Sequence, residues 1–185
     1  MWGQEPQLES VLERLKLLLS AHSNELETKS LHAKPGELLI KQAAPAECLL
    51  LLTQGKVAIQ LQRKGQTART LAVLEAEALL GEMGLFSNGI HSTDVRVVDG
   101  PAQLLAINGD DLLKAMIYDS DLIIELLALV SERIRRSNEV ISLLIDGIAA
   151  LHDKDEFLLE KVCQSLRPLD HCIANAAEQL KQISD

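Results

Sequence analysis

One stretch near the middle of the chain gathers the groups that chemistry needs: Leu80-Gly81-Glu82-Met83-Gly84-Leu85-Phe86-Ser87-Asn88-Gly89-Ile90-His91-Ser92. Three glycines around a short apolar turn can aim several backbone N–H groups at one anion where a short helix begins. Glu82 brings a carboxylate, which only accepts hydrogen bonds and so selects a donor such as a hydroxyl. An acid favourably placed at a helix N-terminus accounts for Glu82 equally well. Gly81 and Gly84 suit close approach of a ligand to the backbone, or a tight turn with nothing bound. His91 and Ser92 close the stretch, and His91 is the one side chain in it that titrates near neutrality.

Other chemistries find little support. His22, His32, His91, His152 and His171 lie in separate segments, and neither HExxH nor GxSxG occurs. Ser92 adjoins His91 only in sequence, which rarely gives nucleophile–base geometry. No enzyme is expected. Cys48, Cys163 and Cys172 share no metal-like spacing, so free reduced thiols and no metal are expected. A net charge of −9 and a pI near 5.0 repel phosphate backbones. Aromatic residues are only 2% of the chain, which leaves few platforms on which bases could stack. Arg133, Arg135 and Arg136 form the one dense basic cluster. With Glu132 and Glu139 four residues from Arg136 and Arg135, it reads first as a salt-bridged helix face and second as a phosphate contact. With no charged-then-apolar leader and no apolar run of bilayer length, a cytoplasmic protein off the membrane is expected.

These residues need elements to hold them. Leu8, Val11, Leu12, Leu15, Leu18 and Leu19 recur at helix spacing, and 20–28 is polar and reads as a turn. From Pro35-Gly36 the pattern becomes strand-like. Leu38 and Ile40 alternate with their neighbours, 49–53 is a short apolar strand broken at Gln54-Gly55, and Val57, Ile59 and Leu61 alternate again. Lys64-Gly65-Gln66 is a hairpin turn before 71–74. Strands at 95–98 and 103–107 flank a turn at Asp99-Gly100-Pro101. No segment between 35 and 107 is long enough for crossover helices, so an antiparallel β-roll of jelly-roll type is expected over 33–108.

Beyond Asn108 the chain reads as helical, capped by Asn108 or Asp110, with a second helix from Asp119-Ser120-Asp121 to about 151. Ile123, Leu127, Val130, Ile134, Ser137, Ile141, Leu144, Ile148 and Leu151 step by four or three, a heptad seam suited to a partner helix. A two-fold homodimer through 119–151 is therefore expected. The tail, 152–185, continues apolar periodicity in two helices, with Pro168 opening the second. The expectation is an α+β protein with two parts. Residues 1–151 hold the N-terminal helix, the roll, and hinge and dimer helices over 109–151, and 152–185 is a helical tail packed on the dimer helices or on a partner protein.

In this order the elements resemble the cyclic-nucleotide-binding domain of the catabolite activator (cAMP receptor) family. Lys34-Pro35-Gly36-Glu37 resembles its opening turn, Gly55-Lys56-Val57-Ala58-Ile59 a strand entered through glycine, and Gly81-Glu82-Met83-Gly84-Leu85-Phe86 its phosphate-binding cassette. Leu105-Ala106-Ile107 with Asp110-Asp111-Leu112 resembles the last strand and hinge helix, and 121–144 the dimer helix. The resemblance implies a ligand-sensing regulatory module that binds a cyclic nucleotide such as cAMP. Gly81, Glu82, Met83, Gly84, His91 and Ser92 would line the site, with Glu82 on the ribose hydroxyl. Ser137 and Asn138 match the pair that contacts adenine from the dimer helix. The chain departs from the family where an arginine should pair with the phosphate: His91 stands there. Arg96, Arg69 and Lys64 are nearby cations that could substitute. The tail begins with Asp153, Asp155, Glu156 and Glu160 and shows neither a strand wing nor a basic recognition helix, so direct contact with nucleic acid is not expected. A scaffold dimer with a vestigial pocket is the alternative.

Overall fold

The structure, a computed structural model, describes residues 5–167, 173–175 and 178–179. Helix α1 (Glu5–Ala21) leads into strands β1 (Thr28–Ala33), β2 (Leu38–Ile40), β3 (Cys48–Leu61), β4 (Arg69–Glu75) and β5 (Ala78–Leu80). The short helix α2 (Glu82–Leu85), strand β6 (Asp94–Asn108) and helices α3 (Gly109–Tyr118), α4 (Ser120–Asp153) and α5 (Glu156–Leu166) follow. All strand pairs are antiparallel. β6 pairs with β1, β2 and β3, and β3 also pairs with β4 and β5. The expected β-roll with flanking helices and a long C-terminal helix is present.

Period-two geometry explains the unbroken apolar run in β3. Successive side chains leave a strand on opposite faces, and both faces are covered here. Leu50, Leu52 and Val57 enter the roll interior with Ile40, Leu80, Val95, Val97 and Leu104. Leu49 and Leu51 enter a second core with Leu15 of α1, Leu112 of α3 and Leu122, Leu126 and Leu129 of α4. The core is aliphatic, as the scarcity of aromatic residues demands.

Four details refine or change the sequence expectations. Gln54-Gly55 and Asp99-Gly100-Pro101 do not end strands. They face one another as an irregularity inside one continuous β3–β6 ladder, where Gln54 pairs with Gln103 and Lys56 with Val98. The extra residues of β6 bulge outward, and ladder bonds on either side compensate for the turn-forming residues. Gly55 is needed there: its φ is +96°, and a Cβ would lie 2.6 Å from the Pro101 carbonyl oxygen. Secondly, 28–33 forms β1 directly after the polar turn and ahead of the expected roll, because pairing with β6 supplies the ladder that its mostly exposed side chains do not signal.

Thirdly, α5 packs on α4, one of the two positions expected for the tail. Leu159, Val162, Cys163 and Leu166 of α5 bury against Ala150, Leu143, Leu144 and Leu151 of α4. Fourthly, this cover takes Leu144 and Leu151 out of the expected seam. The row left exposed is Ile124, Leu127, Ser131, Ile134, Asn138, Ile141, Ile145 and Ile148, a strict three-four spacing that includes Asn138 and not Ser137. Half of the seam thus moves by one residue, because α1, α3 and α5 all pack on one side of α4. The expected helix start at Pro168 lies outside the described residues.

Helix ends follow their caps. Asn108 accepts from the Asp110 and Asp111 amides at the start of α3. Asp119 closes α3 through its own N–H to Ala115 O (2.9 Å) and opens α4 by accepting from Asp121 N–H (2.9 Å). Among the described residues no helix is long and apolar enough to cross a membrane. Gly55→Ala is expected to lower unfolding stability by more than about 1 kcal/mol, since it adds both a positive-φ penalty and a clash. Urea denaturation checks this, and an unchanged midpoint would contradict the bulge geometry.

Candidate functional site

The cassette is positioned by β5 before it and by the 43–46 segment beside it. Gly81 ends β5 in the left-handed region (φ 89°, ψ −7°) and turns the chain directly into α2. Ala43 N–H donates to His91 O (2.9 Å), His91 N–H to Ala44 O (3.0 Å) and Ala46 N–H to Gly89 O (2.8 Å). Within the loop, Gly89 N–H reaches Gly84 O (3.0 Å). The far side of the cassette touches the hinge: the Leu85 side chain rests on Gly109, the first residue of α3, where a Cβ would meet Leu85 Cδ1 at 2.5 Å.

The two cassette glycines open onto His91. A Cβ on Gly81 would lie 3.4 Å from His91 Cε1, and one on Gly84 would lie 3.1 Å from His91 Nδ1. The imidazole therefore occupies the space that the missing side chains leave. Burial lowers its pKa below the ordinary histidine value, and the Glu82 charge opposes this only in part. At neutral pH the ring is uncharged and offers one donor and one acceptor.

Glu82 is buried, 4% exposed. A carboxylate so placed requires a partner, and Arg133 of α4 supplies it: one guanidinium nitrogen donates to Glu82 Oε1 and another to Leu79 O (2.6 Å). Reading the basic cluster as a solvated face missed this. Arg133 lies four residues past Leu129 and seven past Leu126, which places it on the buried stripe, and that spacing was available in the sequence. Arg135 pairs with Glu132 three residues back. Arg96 donates to Gly36 O (2.6 Å), so its fork is directed to the opening turn.

Gly81, Glu82, Gly84 and His91 thus come together within one chain. Met83 is 64% exposed, and Ser92 is exposed. Ser137 and Asn138 are exposed on α4, one turn beyond Arg133. A shallow groove of about 410 Å³ between α1 and α4 is lined by Arg14, Leu17, Leu18, Asp121, Ile124 and Glu125, with no cassette residue among them. No group of three or more His, Cys, Asp or Glu is gathered as a metal site among the described residues.

Arg133→Met should leave the Glu82 carboxylate buried without a partner and cost about 2–3 kcal/mol, the partial exposure of Arg133 moderating the loss. Adding Glu82→Gln to that variant should recover most of it. Urea unfolding of the two single variants and the double variant tests the pairing. Simple additivity would show that the two side chains do not interact.

Comparison with known proteins agrees with this geometry. Residues 30–119 match the family model of the cyclic nucleotide-binding domain. No curated protein matches the chain by sequence. Among solved structures, the catabolite activator protein of Thermus thermophilus is similar at a TM-score of 0.59 and 23% identity, over 92% of this chain and 80% of that one. A cyclic nucleotide-binding domain from Methylobacillus flagellatus has a TM-score of 0.60 and 20% identity, over 74% and 83%. The sensor domain of the transcriptional regulator DNR from Pseudomonas aeruginosa has a TM-score of 0.59 and 21% identity, over 75% and 95%. At such identities the likeness to these structures speaks for the fold. Taken with the match over 30–119, it identifies a cyclic nucleotide-binding domain fold in that segment of the chain.

Proposed function

We propose that this chain is a non-enzymatic, ligand-sensing regulatory module of the cytoplasm. It binds a cyclic nucleotide or a related anionic small molecule in the cassette and signals through its helices to a partner protein. The observation that carries this reading is the buried Glu82–Arg133 ion pair. A ligand hydroxyl that donates to Glu82 must be accommodated at that pair. The pair belongs to α4 as much as to the cassette, so ligand occupancy and helix position are linked.

In this reading Gly81, Glu82, Gly84, His91 and Ser92 line the site beside Met83, while Ser137 and Asn138 approach from α4 across a two-fold axis. The dimer forms along Ile124, Leu127, Ile134, Ile141, Ile145 and Ile148, with Ser131 and Asn138 as the polar layers that set register. The tail offers the partner surface, with Phe157 84% exposed at the start of α5. Nucleic acid is not contacted directly, and neither metal nor membrane takes part.

His91 sets the ligand chemistry. An arginine fork holds a phosphate with a permanent charge, whereas a half-buried neutral imidazole must first take up a proton. Phosphate binding should therefore tighten as pH falls towards the lowered pKa of His91. A hydrogen bond to a charged group contributes roughly 1.5–3 kcal/mol, so His91→Arg should strengthen a cyclic monophosphate about ten- to a hundredfold. Calorimetric titration with cAMP, cGMP and cyclic dinucleotides measures both effects. No heat from any of them, in the wild type or in His91→Arg, would remove the nucleotide reading.

The position of the His91 ring over Gly81 and Gly84 favours one second reading, a scaffold dimer with a filled, non-binding cassette. Glu82→Gln separates the two, since a scaffold keeps assembly and partner binding unchanged. Either reading requires the dimer. Sedimentation equilibrium should report twice the 20.3 kDa chain mass, and Ile141→Lys should return it to the monomer. A monomeric wild type would overturn the seam.

A further inference from the structure

His22 stands at the end of α1, and both of its ring nitrogens face carboxylates. Nδ1 lies 3.0 Å from Glu25 Oε2, and Nε2 lies 2.8 Å from Asp119 Oδ2. A neutral imidazole has one N–H and one lone pair, so it can satisfy only one of these oxygens and repels the other. The imidazolium donates to both. The geometry is that of a charged histidine bridging two acids, one on its own turn and one on a different element.

The second acid is the joint itself. Asp119 ends α3 with its N–H and begins α4 with its carboxylate, and α4 carries Arg133 to the cassette. We propose that His22 is a proton-operated clamp that fixes the C-terminal end of α1 to the joint between α3 and α4.

The other charges on the packed elements do not compete for the imidazole. Arg14 of α1 pairs with Glu125 of α4 (2.6 Å), and Lys114 of α3 pairs with Asp111 (2.9 Å), whose second oxygen is 3.4 Å from the Glu27 N–H. Asp121 of α4 lines the α1–α4 groove beside Arg14. Lys16 holds α1 to Glu77 (2.5 Å) at the β4–β5 turn. Val11, Leu12, Leu15 and Leu19 keep the body of α1 in the core. Leu26 and Leu122 are buried in the same core, so release of the clamp loosens only the turn 22–25 that follows α1.

The sign follows from the shifts. His22 is raised above its ordinary value, first by the bond to Asp119 and then by that to Glu25. Its contribution is complete below about pH 6.5 and is lost as pH rises through the folded value. Asp119 is lowered, first by His22. Its contribution is present above about pH 3.9 and lost only on stronger acidification. The clamp is closed in mild acid and opens on the alkaline side of neutrality.

The test is made on the full chain by following the His22 ring resonances in an NMR titration, together with hydrogen exchange of segment 20–27, corrected for the intrinsic pH dependence of exchange. Wild-type His22 is expected to titrate above 6.5, with protection of 20–27 falling about tenfold for each unit of that elevation as the clamp opens. Asp119→Asn keeps a good helix cap while removing the charge, and should bring the titration back towards 6.5. His22→Gln should make protection independent of pH between about 5.5 and 8.5. An unchanged His22 titration in Asp119→Asn would overturn the clamp, as would equal protection across that range in the wild type.

Discussion

A carboxylate 4% exposed among leucines cannot stand alone, and much of this structure follows from how Glu82 is answered. Its partner comes from α4, which is remote in sequence, so the pairing ties the glycine-rich loop to the longest helix. Arg133 also holds the Leu79 carbonyl at the end of β5, binding the strand that enters the loop to the same helix. One guanidinium thus fixes three elements relative to each other. The geometry has a cost, because pairing two desolvated charges recovers little more than their dehydration. Such a pair contributes specificity of arrangement more than net stability. In the regulatory reading proposed for this chain, that is the useful property: a contact close to break-even is one that a ligand can shift.

A second connection runs parallel to the ion pair. Leu85 rests on Gly109, where the last strand becomes the hinge helix, and Asp119 then passes the chain from α3 to α4 with one residue acting as both stop and start. The loop therefore touches the helical region at the beginning of α3 and again at Arg133. Between these points the apolar core of Leu112, Leu122, Leu126 and Leu129 is close-packed against β3 and α1. Packed cores respond to local shifts by moving elements as units, so a change at the loop has two rigid routes into α4.

His91 gives the loop its individual character. It is held through its backbone by the Ala43–Ala44 segment, and its ring covers both cassette glycines. Burial lowers its pKa, and the charge of Glu82 opposes this only in part. The loop thus combines an anion-cradling backbone with a side chain whose charge depends on proton uptake, where the family resemblance would place a permanent cation.

Much of the architecture was legible from local pattern. Period-two alternation marked most strands, three-four spacing marked α1 and α4, and the cap residues Asn108 and Asp119 marked where helices begin. Spacing and residue type also singled out Gly81, Glu82, Gly84 and His91, since tight turns and their acids are written in consecutive positions. What the sequence could not express was anything depending on which surfaces meet. Gly55 and the 99–101 segment read as chain breaks, and only the pairing of β3 with β6 turned them into one bulge. β1 carries a weak apolar signal, only Leu31 and Ala33, and exists because β6 offers it a ladder. The outward face of α4 was decided by α1, α3 and α5 covering one side, which moved half of the seam by a residue. Arg133 read as part of a solvated face, and His22 had no assigned partner, until distant carboxylates came within hydrogen-bond reach. Periodicity records how a segment folds upon itself, whereas charge pairing and cover depend on contacts between residues far apart in the chain. In this protein the glycine-rich loop was set by sequence, and its connection to α4 was decided by tertiary structure, because a buried charge takes whichever partner the packing brings to it.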